Sequence, residues 1–144
     1  MGYTHYWTIN TPLPADKFAE YAKGVENLAR IAKDEGLELT DEAYSTEVIC
    51  FNGKGEDAHE TFFIDPADMG FQFCKTARKP YDYLVVASLI LAKQIFGKAI
   101  TISSDGDWFT EWDEGKELWR KGVALRGTAD FGAILPESSI LARG

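Results

Sequence analysis

The sequence predicts an α+β fold, a single layer of mostly antiparallel sheet packed against helices, and three observations carry that reading. Segments with helical spacing of apolar residues lie near the start, in the middle and towards the end of the chain. Between them fall short alternating or apolar runs punctuated by Gly, Pro, Asn and Asp, as strands of a sheet are. One helical segment, Tyr81 to Phe96, is apolar nearly all round and must be covered on several sides, which makes it the central element. A chain of 144 residues with 45% hydrophobic and 26% charged residues suits one domain with its own core, so 1–144 is read as a single α+β unit whose segment after about residue 127 forms an arm.

Residues Tyr3 to Ile9 alternate, with Tyr3, His5 and Trp7 on one face and Thr4, Tyr6 and Thr8 on the other, and predict a first strand. From Pro14, apolar positions at Phe18, Tyr21, Ala22, Val25, Leu28, Ala29 and Ala32 recur every three or four residues, and Gly36 supplies the stop of an amphipathic helix. Glu47 to Phe51, ending in Asn52-Gly53, and Glu60 to Ile64 read as a hairpin, and Phe71 to Lys75 as a further strand of the same meander. Pro80 opens the central helix, where its missing N–H costs nothing. Gly97 ends that helix, Ala99 to Ser103 reads as a strand closed by Asp105-Gly106, and a last helix runs from about Asp113 to Ala124 with Leu118, Trp119 and Val123 inward.

Charge narrows the partners. Fifteen Lys and Arg against 23 Asp and Glu give a formal charge of −8, which repels a polyanion and argues against binding of duplex nucleic acid. The apolar run from Tyr83 to Ile95 includes Lys93 and Gln94 and falls short of the roughly 20 residues a bilayer requires, so no membrane span is expected. Met1 to Trp7 lacks the basic start and apolar run of a secretory signal, and Tyr6 stands where a myristoylation motif wants Ser or Thr; a cytoplasmic location is the expectation. Cys50 and Cys74 are too few for a disulfide framework and form no CxxC site, so they read as reduced thiols in strands.

In this acidic chain the basic cluster Lys75, Arg78 and Lys79 stands immediately before the Pro80 helix. The first turn of a helix offers unpaired N–H groups and a partial positive charge, so cations there add to an anion site. Tyr81 follows directly, and Tyr6 or Trp7 on the first strand could stack on a base. The plainer alternative is an exposed loop in which Arg78 pairs with Asp82. His59-Glu60 is a candidate acid/base pair, with Glu60 orienting His59, although a zincin helix is excluded because Phe63 stands where its second His is needed. The acidic run from Asp105 to Glu114 does not fit an EF-hand, and neither metal nor cofactor is expected. There is no Walker loop, Rossmann fingerprint or Gly-x-Ser-x-Gly elbow.

The segments Met1 to Trp7 (MGYTHYW), Phe51-Asn52-Gly53, His59 to Phe62 (HETF), Phe73 to Asp82 (FCKTARKPYD) and Ser104-Asp105-Gly106 together resemble a family of short, uncharacterised proteins encoded by bacteria and bacteriophages. The resemblance implies a setting, that of a phage-related accessory protein in the host cytoplasm, and no chemistry. Joined to the basic and aromatic residues, it leads to the expectation of a small soluble protein that binds or sequesters a phosphate-bearing, nucleotide-like molecule. Two alternatives stand beside it: an enzyme acting on a phosphate-containing substrate through His59, and a non-catalytic protein whose exposed aromatics form a homo-oligomer interface.

Overall fold

A computed structural model describes residues 2–125. The arm expected after about residue 127 lies outside the described residues. The architecture is α+β, with three helices and two small antiparallel sheets of three strands each.

Strand β1 (Thr4–Ile9) lies at the centre of the first sheet, between β5 (Gly70–Lys75) and β6 (Ile100–Ser104), in the order β5-β1-β6. Its alternation has the direct consequence read from the sequence: Tyr3, His5, Trp7 and Ile9 are buried on the inner face, while Thr4, Tyr6 and Thr8 share the outer one. The second sheet is a meander of β2 (Leu39–Tyr44), β3 (Ile49–Gly53) and β4 (Phe62–Ile64).

Two expectations about the sheet need correction. The strands form two sheets rather than one, because β5 leaves the meander and pairs with β1, with Thr4 opposite Lys75 and Tyr6 opposite Phe73. The three-strand meander does exist, but its first member is β2, whose polar sequence hides it and whose pairing with β3 is broken by an irregularity between Thr40 and Ala43. Asp41, at φ 56°, sits inside that irregularity.

Helix α1 (Ala15–Asp34) buries Phe18, Tyr21, Ala22, Val25, Leu28, Ala29 and Ala32, the stripe its spacing dictates. Helix α2 (Asp82–Phe96) is buried without interruption from Leu84 to Ala92, as its lack of a polar stripe requires. It packs against α1, against β6 and against α3 (Asp113–Leu125). Gly115 of α3 permits the closest approach: a Cβ there would stand 2.2 Å from Val86 Cγ1. No helix among the described residues is long and apolar enough to cross a membrane.

Candidate functional site

Four of the segments quoted above meet at one end of the first sheet, whereas Phe51-Asn52-Gly53 lies on β3 of the second. His5 on β1, Ser104 at the end of β6, Thr76 just beyond β5 and Asp82 at the start of α2 form one continuous polar chain beneath the sheet. Ser104 Oγ accepts hydrogen bonds from the Gly106 N–H at 2.8 Å and from Trp112 Nε1–H at 3.2 Å. With both lone pairs engaged, its own proton goes to His5 Nδ1 at 2.7 Å, which assigns Nε2 of His5 as the donor to Asp82 Oδ1, also at 2.7 Å. The same Asp82 oxygen accepts the Thr76 hydroxyl proton.

Ser, His and Asp are the residue types of a hydrolytic triad, but this arrangement is not one that can attack a substrate. Ser104 is 3% exposed, His5 is fully buried, and the hydroxyl is saturated with donors. The chain's chemistry is positional: it ties β1, β6 and the N-terminus of α2 together. Gly106 is required beside it, since a Cβ there would lie 2.0 Å from the Tyr3 hydroxyl. Burial first, then the carboxylates of Asp82, Glu111 and Asp105, push the Tyr3 phenol well above its usual range.

The basic cluster lies above this chain, arranged differently from the sequence expectation. Thr76 O accepts from Lys79 N–H at 3.0 Å, closing a turn whose central residues Ala77 and Arg78 both have positive φ, at 53° and 59°. Non-glycine residues rarely adopt that conformation, and here it is held by Thr76 and Ala77 N–H groups donating to Tyr3 O. The turn lays the Arg78 guanidinium over the Tyr3 ring, 4.0 Å from its centroid, and Arg78 pairs with Glu111. The Arg78–Asp82 pair of the plainer alternative does not form, because Asp82 turns inward to His5 and Thr76. Asp82 also places a carboxylate in the first turn of α2, and the N–H groups of Asp82, Leu84 and Val85 are bonded to Lys79 O and Tyr81 O. That helix N-terminus is not an open anion cradle.

Tyr81 and Trp7 are also reassigned. Tyr81 is fully buried and donates its hydroxyl to Glu60 O, and Trp7 is 2% exposed against Phe62, so neither offers a ring face to a ligand. His59 is exposed with Nδ1 2.8 Å from Lys75 O, and the Glu60 carboxylate accepts Lys75 N–H at 2.7 Å rather than orienting His59. Both residues fasten the loop before β4 to the end of β5. Among the described residues, no three or more His, Cys, Asp or Glu side chains are grouped to hold a metal ion.

What remains open is the outer face of the first sheet. Tyr6 stacks on Phe71, with ring centroids 5.9 Å apart and planes 22° from parallel, and Phe71 lies 6.2 Å from Phe73. Phe71 is 65% exposed and Phe73 55%, and no described helix packs over them. One step further along the same face, Lys75 stands beside Thr4, and among the described residues neither Lys75 nor Lys79 has an ion-pair partner. On the other side of Thr4, Asp105 accepts from Thr4 N–H at 3.0 Å and from the Tyr6 hydroxyl at 3.2 Å. Sequence reasoning reached Tyr6 and Lys75 but missed Phe71 and Phe73. The available signal was their two-residue spacing, which puts both on the face of Lys75.

Compared with models of protein families, with curated proteins and with solved structures, the chain matches none.

Proposed function

We propose that this protein binds a small planar, phosphate-bearing molecule of nucleotide type on the outer face of its first sheet, as an accessory protein that holds its ligand without turnover. The observation that supports this best is the aromatic patch itself: Tyr6, Phe71 and Phe73 side by side on adjacent strands, with Lys75 in the next register position. Exposed aromatic faces on a sheet stack on bases, at about 1–3 kcal/mol per base, without demanding a particular base. Lys75 supplies the charge for a phosphate, and Lys79 and Arg78 stand near the same end of β5. Asp105, across Thr4 from Lys75, repels a second anion and so favours one orientation of the ligand.

The acidic surface agrees with a small ligand rather than a polynucleotide, since a net charge of −8 opposes a long polyanion but leaves room for one locally basic spot. A His59-centred reaction is the weaker reading, because His59 and Glu60 are both engaged with the backbone of Lys75.

The reading is tested by incubating the purified protein with linear and cyclic nucleotides, removing the excess, and releasing what is retained by heat. Recovery of an intact nucleotide is the expected result. Recovery of a converted product would replace binding by catalysis, and retention of none would remove the reading.

A further inference from the structure

The strand that carries the aromatic patch is also an edge strand, and its edge is a surface distinct from its face. Strand β5 pairs only with β1 in the order β5-β1-β6. Thr76 N–H bonds Tyr3 O, whereas the Lys75 N–H and C=O point the other way, to the Glu60 carboxylate and Glu60 N–H. Antiparallel alternation then turns the N–H and C=O of Phe73 and Phe71 outward as well. Among the described residues, nothing bonds them.

Proteins guard such edges with charges, proline, bulges or short strands. The other exposed edges here carry those devices. Strand β2 has Asp41, Glu42 and an irregular register, β4 is only three residues long, and Lys93 caps the Ile100 carbonyl on β6. The stretch from Gly70 to Cys74 (GFQFC) has no charge, no proline and an unbroken register with β1.

We propose that this edge pairs, antiparallel and about a two-fold axis, with β5 of a second copy of the chain. With Gln72 on the axis, Phe71 falls opposite the partner's Phe73 and Phe73 opposite the partner's Phe71. Both are positions where the unbonded N–H and C=O groups meet in hydrogen-bonded pairs, and the rings meet across strands on one face. The pairing spans Phe71 to Phe73 of each copy and stops there, because Glu60 already holds the Lys75 N–H and C=O. A second copy is favoured over an unrelated peptide because one short segment carries both halves of this match. Pairing through the edge leaves the outer face open and joins two aromatic patches into one, so it stands independently of whether that face takes a ligand.

Sedimentation velocity over a wide range of concentration tests this with the wild type and two variants of one residue. Phe71→Pro removes an outward N–H and leaves the β1 ladder intact, whereas Phe71→Ala removes the ring and keeps that N–H. The expected result is a dimer for the wild type, a monomer for Phe71→Pro and a weakened dimer for Phe71→Ala. Gln72→Cys, in a Cys50→Ser background, gives a second reading that needs no proline. On the axis the two Cα atoms of a non-hydrogen-bonded pair stand about 4.5 Å apart, within disulfide range, so mild oxidation should link the copies, and Asp68→Cys should not. A monomeric wild type, or a dimer that persists in Phe71→Pro and is not linked through position 72, overturns the proposal.

Discussion

His5 on β1 and Asp82 at the first turn of α2, 77 positions apart, meet with Nε2 and Oδ1 separated by 2.7 Å, and this contact fixes the end of the sheet to the start of the central helix. His5→Ala removes the link between Ser104 and Asp82 and leaves the buried Ser104 hydroxyl and the partly buried Asp82 carboxylate each short of one hydrogen bond. A loss on the order of 3 kcal/mol is expected in denaturant unfolding. Asp82→Asn keeps an acceptor for His5 and Thr76 and should cost less than half as much. Equal losses would mean that the carboxylate charge, not the hydrogen bonding, holds the site.

The central helix gives a second expectation. Leu89 is fully buried on α2, so Leu89→Ala should cost about 2–5 kcal/mol, since the surrounding α1, α3 and β6 cannot all close on the space left. Chemical denaturation of the two proteins checks it, and a loss well under one kcal/mol would contradict the burial.

Alkaline stability follows from Cys74. Burial pushes its thiol up from about 9 to about 12, so above about pH 9 the unfolded chain releases a proton that the folded protein retains. The stabilising difference is complete below that pH and is lost as pH rises, with a slope approaching about 1.4 kcal/mol per pH unit. Burial also pushes Cys50 up, so the comparison is made in a Cys50→Ser background. Adding Cys74→Ala should make the fall in stability between pH 9 and 10 shallower, leaving the part that buried tyrosines such as Tyr21 and Tyr81 contribute in both proteins; an unchanged slope would contradict this assignment.

Arg78 should matter little to folding. Its guanidinium is exposed and held by Glu111 and the Tyr3 ring, so Arg78→Ala is expected to leave the melting temperature nearly unchanged and to weaken nucleotide binding severalfold. Glu111→Gln frees the guanidinium and should strengthen binding. Thermal melts beside binding titrations separate these effects, and a lowered melting temperature with unchanged affinity would make the Arg78 turn purely structural.

Much of the fold is legible in the sequence because each element carries its own period. The alternation of β1, the stripe of α1 and the apolar circumference of α2 each determine one local structure. Strand β2 is not legible, since Leu39–Tyr44 contains Thr40, Asp41 and Glu42 and its irregular register destroys the period. The site is harder to read for a physical reason. Alternation separates two faces of a strand but does not say which is covered, so Trp7 is as plausible for stacking as Tyr6, and Tyr81 beside the helix start no less so, until packing buries both. Arg78 is visible as a cation near a helix start, but its partner Glu111 lies 33 positions away and is set by the loop after β6. The His5–Asp82 contact is equally non-local, and only the grouping of the resembling segments hints at it.

The central claim is that the outer face of the first sheet holds a nucleotide by stacking. Calorimetric titration with the nucleotide retained by the wild type, repeated on Phe73→Ala, Lys75→Ala and Phe109→Ala, an exposed aromatic outside the Tyr6–Phe71–Phe73 cluster, tests it most directly. Phe73→Ala is expected to lose about tenfold or more in affinity, corresponding to about 1.4 kcal/mol, and Lys75→Ala severalfold, with folding intact in both. Phe109→Ala should bind as the wild type does. Wild-type affinity in both Phe73→Ala and Lys75→Ala would contradict the account.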